Sequence, residues 1–164
     1  MAGRGVLFAL DRDDEAELLS RRDAKARVSW AANVVEERWD RAWLHEMDET
    51  WFPVHYCLHG AHGFPLAGAP PEAKAIFGGY PLGISSLYSI DYKTAALVRL
   101  IAQALDKMLD EAIKARAGLI ERGEFEGAKG APMQATIVHA IGGLKSFYAS
   151  AAAAGRAVIF TVDL

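Results

Sequence analysis

Two short, mostly apolar runs stand near the ends of the chain. GVLFAL, Gly5–Leu10, and AVIFTV, Ala157–Val162, are short and flanked by polar residues or glycine. Both predict strands, and the first fits a buried one. A third strand is predicted at ISSLYSI, Ile84–Ile90, where apolar and polar positions alternate.

The other apolar positions recur at intervals of three and four, the period of helices. Asp11 or Asp13 is placed to cap a helix running through Leu18 and Leu19, with acidic residues at its positive end. Val28, Ala31, Ala32, Val35, Trp39 and Trp43 form one stripe, which predicts a long helix with room for a break. Thr50 is the expected N-cap of the next helix. Pro53 falls at its third position, where a missing N–H costs little, and Gly60 is expected to close it. PEAKAIF predicts a short helix ended by Gly78–Gly79. Asp91 is expected to cap a long one carrying Leu97, Ile101, Leu105, Met108 and Ile113. ERGEFEGAKGAP reads as a glycine-punctuated loop, expected to be the most mobile internal segment. Pro132 then starts a last helix with the stripe Ile137, Ile141, Leu144 and Tyr148, stopped by Gly155. The interior pair Gly142–Gly143 marks a close contact or a kink, because each glycine costs a helix about 1 kcal/mol relative to alanine. These elements predict an α+β fold: a small mixed sheet including the N- and C-terminal strands, covered by several helices, in a single domain over residues 1–164.

Composition narrows the function more than the fold. The chain has 164 residues, 52% hydrophobic and 24% charged, with a formal net charge of −3 and a pI of about 5.9. That balance carries no basic footprint for nucleic acid and no polybasic signal for an anionic membrane. No apolar stretch approaches a bilayer-spanning length, and the short N-terminal run is followed at once by acids, unlike a signal peptide. A lone cysteine, Cys57, forms no intrachain disulfide and suits a reducing compartment. The expected location is cytoplasmic.

WFPVHYCLHGAHGF, residues 51–64, concentrates candidate chemistry: His55, His59, His62 and Cys57. His55 and His59 have the one-face spacing of zinc enzymes, but Tyr56 stands where a zincin has its glutamate base. The stripe Trp51, Val54, His55, Leu58 places His55 on a buried face instead. No metal is expected; were one held, His55, His59 and His62 would be its candidate ligands. Cys57 in mid-helix is expected to be buried and quiet. DRDDEAELL lacks the sixth-position glycine of a calcium loop. GGYPLG, Gly78–Gly83, matches neither a Walker loop nor a dinucleotide fingerprint and is expected to be a turn. No nucleophile elbow occurs. No cofactor is expected.

DETWFPVHYCLHG, AKAIFGGYPL, YSIDYKTAALVRLIAQAL and LKSFYASAAAAGRAVIFTV, taken in order, resemble the YfbM-like family of uncharacterised bacterial proteins, a domain of unknown function. The family pattern carries over to Asp48, Trp51, His55, Leu58 and Gly60, and to Ala75, Gly78, Gly79 and Leu82. The chain departs from it at His59, often a small residue in members, and in the glycine-rich 116–131 region. The resemblance implies a single α+β domain and brings no established activity.

The expectation is therefore a cytoplasmic binding or protein-interaction module, not an enzyme. A competing expectation is a small-molecule binder or enzyme whose cleft lies between the Trp51–Gly60 helix end and the Gly78–Gly83 loop. Its candidate residues are Trp51, His55, Gly78, Gly79, Tyr80 and Tyr88. A third is an immunity-type partner of a toxin, recognised through a charged face.

Overall fold

A computed structural model describes residues 3–59, 68–84, 87–118 and 131–163. Its centre is a five-stranded sheet in the order β2-β1-β5-β4-β3, with β1 Gly5–Leu10, β2 Leu44–Asp48, β3 Tyr80–Ile84, β4 Tyr88–Lys93 and β5 Ala157–Asp163. The expected strands at both termini are among its inner members. The sheet was expected to be mixed, but every described pairing is antiparallel. Two strands, β2 and β3, lie where the apolar pattern predicts a helix and a turn.

Each face of the sheet carries its own layer of helices. Val6, Phe8 and Leu10 of β1, with Ala157 and Ile159 of β5 and Tyr88, Ile90 and Tyr92 of β4, pack under α1 Arg12–Ser20, α2 Ala24–Trp30 and the π-helical turn Ala31–Glu36 that continues α2. Leu7, Ala9, Val158, Phe160 and Val162 face the other way. They pack under α3 Trp51–His59, α4 Ala95–Asp106, α5 Asp110–Gly118 and α6 Ala131–Ala153. Burial on both sides explains why β1 and β5 do not alternate.

The Val28–Trp43 stripe is not one helix. Trp39 adopts a left-handed φ of 45°, and the chain turns there and returns as β2. A bulky residue in that region costs about 1–2 kcal/mol. Packing opposes that cost: the Trp39 ring meets Phe8 edge-on at 5.8 Å, and the Arg4 guanidinium lies 4.6 Å over it. Trp43 packs into the opposite core, so a helix that kept both tryptophans on one face could not serve both.

Local signals hold well elsewhere. Asp11 caps α1 through the Asp14 N–H at 2.9 Å, and Asp23 caps α2 through the Ala26 N–H at 2.8 Å. Gly155, at φ 66°, ends α6, where the Arg156 N–H reaches back to the Ala151 carbonyl at 2.9 Å. Thr94, not Asp91, caps α4, and the expected long helix is interrupted between Asp106 and Asp110. Thr50 does not cap α3; its hydroxyl donates back to the Met47 carbonyl. The Gly142–Gly143 pair marks a close contact: a Cβ on Gly143 would sit 2.7 Å from the His45 ring, which stacks on Phe147. Gly60 and the loop from residue 121 to 130 lie outside the described residues.

Candidate functional site

The helix carrying the histidine-rich stretch is buried on more than one side. Trp51, Val54, His55, Cys57 and Leu58 are all inside. Trp51 is anchored: its indole N–H donates to the Gly3 carbonyl at 2.7 Å, and its ring packs on Phe77 and Phe160. The indole also lies across Gly5, where a Cβ would come within 2.5 Å of it. This accounts for a tryptophan in α3 and a glycine at the start of β1 together.

His55 is only 3% exposed, with Phe77 edge-on at 5.6 Å and the rings of Tyr56 and His59 about it. His59, at the helix end, is half-buried, its ring centre 5.9 Å from that of His55. His62 lies outside the described residues. Among the described residues no group of three or more His, Cys, Asp or Glu side chains is placed to hold a metal. The Cys57 thiol donates to the Ile113 carbonyl at 3.6 Å, and burial pushes its pKa up to about 11, far from a reactive thiolate.

Gly78 and Gly79 do form an anion-binding turn, but a carboxylate of the same chain fills it. Gly78 has φ 111°, and its N–H donates to Asp91 Oδ2 at 3.2 Å; the Gly79 N–H donates to Oδ1 at 3.1 Å. Lys93 Nζ completes the cluster, reaching Asp91 Oδ1 at 2.5 Å and the Ile76 carbonyl at 2.7 Å. Lys93 is fully buried, and desolvation lowers its pKa, opposed by Asp91. Tyr148 closes the far side, its hydroxyl donating to the Ala75 carbonyl at 2.5 Å; burial, with Asp91 adding, raises its pKa. A Cβ on Gly79 would meet the Tyr92 carbonyl at 2.2 Å and Asp91 Oδ1 at 2.7 Å, so no side chain fits there.

The sheet separates the candidate ligand residues. Trp51, His55, Gly78 and Gly79 belong to the α3–α6 side. Tyr80 and Tyr88 belong to the α1–α2 side: Tyr80 pairs with Tyr92 across β3–β4, and Tyr88 lies in the core beneath α2. The Tyr88 hydroxyl donates to Glu36 Oε1, which also accepts from Thr161 at 2.9 Å; burial and then Glu36 raise the Tyr88 pKa. The Tyr92 hydroxyl donates to Glu15 in the same way. Tyr80 remains exposed on the edge strand β3. The expected Gly78–Gly83 loop is therefore half turn and half strand, and the six candidates do not converge on one cleft.

A constellation that no sequence motif marks lies at the C-terminal end of β1. A cleft of about 70 Å³ is lined by Phe8, Leu10, Val35 and Trp43 and by the charged residues Asp11, Asp14, Arg38, Asp40 and Arg156. Arg38 forks onto Asp14, at 2.7 and 3.0 Å; this hydrogen bonding, with Asp11 and Asp40 contributing, raises the arginine's pKa. Arg156 follows the Gly155 turn directly. Its guanidinium lies 3.7 Å over the Trp43 ring, and Nη1 donates to the Ala9 carbonyl at 3.1 Å. These residues are scattered from position 8 to 156, so no local spacing announces them.

The family model for a domain of unknown function, DUF1877, matches residues 1–161. The chain belongs to that family. Its fold is similar to that of a protein of unknown function, YfbM from Escherichia coli, with a TM-score of 0.64, 16% identity and 99% of each chain covered. At that identity the likeness is one of fold. No curated protein matches the chain. Among the described residues no helix is long and apolar enough to cross a membrane.

Proposed function

We propose that this chain is a cytoplasmic, non-catalytic binding module. The observation that carries the proposal is the Asp91 cluster: the Gly78–Gly79 turn, suited to an anion, is filled by an internal carboxylate that pairs with a fully buried lysine. A site closed this way serves the fold. The nucleophile candidate Cys57 is similarly withdrawn, with its pKa raised by burial. The lone cysteine accords with a reducing compartment.

A screen of hydrolase and transferase substrates tests the proposal, run on the chain and on His55→Gln. Any activity in the preparation is expected to be unchanged by the substitution, because His55 is packed away from the cleft residues. A turnover lost in His55→Gln, with circular dichroism and melting temperature retained, overturns the proposal.

Recognition of a basic toxin is a second reading. It is favoured by the exposed carboxylates of Asp11, Asp13, Glu17, Glu37 and Asp40, which all lie in the first forty residues, α1 through the turn before β2. Co-purification with a basic product encoded beside this chain, lost when Asp13 and Glu17 are made lysine, is the outcome that reading requires.

A further inference from the structure

We infer that the cleft at the end of β1 binds a small zwitterion of the amino-acid class, its carboxylate on Arg156 and its ammonium on Asp11 and Asp40. The inference rests on the binding-module proposal and gives that module a ligand class.

Arg156 is the starting point. The Gly155 turn delivers it to the first position before β5, its guanidinium lies over the Trp43 ring, and the Ala9 carbonyl accepts a hydrogen bond from Nη1. Among the described residues no carboxylate lies within ion-pair distance of it. A half-buried guanidinium, pre-oriented by an aromatic face and not balanced by an internal anion, keeps donors in the fork that a carboxylate matches. Arg38 does not offer the same, because both of its terminal nitrogens are committed to Asp14.

The same cleft is also lined by the carboxylates of Asp11 and Asp40. Asp11 and Asp40 each give Oδ1 to a backbone N–H of their own turn, Asp14 at 2.9 Å and Ala42 at 3.1 Å, which leaves Oδ2 of each outside those bonds. Both act on Arg38 electrostatically, which places them around the same cleft. Once Arg38 and Asp14 neutralise each other, the lining holds one guanidinium and two carboxylates. A simple anion would meet Arg156 but face two like charges; a simple amine would meet the aspartates but face Arg156. A ligand with both signs satisfies both. The cleft is small: about 70 Å³, a few times the about 10–15 Å³ that one water needs, suits a ligand of few heavy atoms. The smallest amino acids have that size and charge pattern.

Titration of the ¹⁵N-labelled chain with glycine, and separately with acetate and methylammonium, tests this. Glycine is expected to shift the Trp43 indole N–H and the Asp11 amide saturably. The two half-ligands should need at least about tenfold higher concentration, since each lacks one charged contact. Arg156→Gln should abolish the glycine response. Should that variant unfold, Asp40→Asn provides the check: Asp40 is exposed, and its loss should bring glycine's affinity down toward that of acetate. Acetate or methylammonium saturating at the same concentration as glycine overturns the inference. So does the lack of any saturable shift below about 100 mM, a dissociation constant too weak for a built site. Neither result touches the non-catalytic proposal, which fails only on a turnover lost in His55→Gln.

Discussion

Two ion pairs of this chain have similar closest distances and opposite surroundings. Lys93 meets Asp91 at 2.5 Å with side chains 0% and 7% exposed; Arg38 meets Asp14 at 2.7 Å with side chains 47% and 17% exposed. The first lies between the sheet and the α4–α6 layer and has its remaining capacity taken up by Gly78, Gly79 and Ile76. The second borders a cleft. Desolvating two charges is costly, and the buried pair holds only because its hydrogen bonds are also made. The exposed pair is stabilised little, since water and salt screen it. Geometry alone therefore says little about what a pair does; burial decides whether it locks the fold or remains near a surface where ligands arrive.

Breaking the buried pair should have the largest effect. Lys93→Met leaves Asp91 buried without its cation and is expected to cost about 3–5 kcal/mol in urea unfolding. A loss below about 1 kcal/mol would mean that Asp91 does not depend on the lysine, and the contrast between the two pairs would fall. Gly79→Ala should cost less, about 1–3 kcal/mol, as its Cβ drives the turn away from the Tyr92 carbonyl and Asp91. Combined with Lys93→Met it should be less than additive, because both act on the same cluster; full additivity in a double-mutant cycle would separate the turn from the ion pair. The smallest effect is expected at the surface. Arg38→Gln should change stability by about 0.2–1 kcal/mol, and that difference should shrink as ionic strength rises toward about 1 M. A salt-independent loss larger than this would place the Arg38–Asp14 pair with the buried one.

The stripe Trp51, Val54, His55, Leu58 places His55 inside, and the structure agrees. Asp91 was expected at a helix cap because a short polar residue precedes a helical period. It lies instead in β4, where the alternating Ser89, Asp91 and Lys93 look like a solvent face and are in fact buried. Alternation distinguishes the two faces of a strand but not which of them is wet. Gly78 and Gly79 stood out as a pair, yet what they bind, a carboxylate 12 and 13 residues further on, depends on how the β3–β4 hairpin folds back.

What the sequence determined by itself is the part set by neighbours along the chain. This includes the strands β1 and β5 from their apolar runs, an aspartate cap of α1 at Asp11 or Asp13, the burial of α3 and the stop at Gly155. Each follows from backbone hydrogen bonding and side-chain periodicity within a few residues. The tertiary structure alone decided that Trp39 and Trp43 serve opposite cores, that β2 and β3 complete an antiparallel sheet, and that Arg156 comes to rest on Trp43 beside Asp11 and Asp40. Those outcomes depend on contacts between residues distant in sequence. Burial there can outweigh a local preference of about 1–2 kcal/mol, such as the one against a left-handed tryptophan.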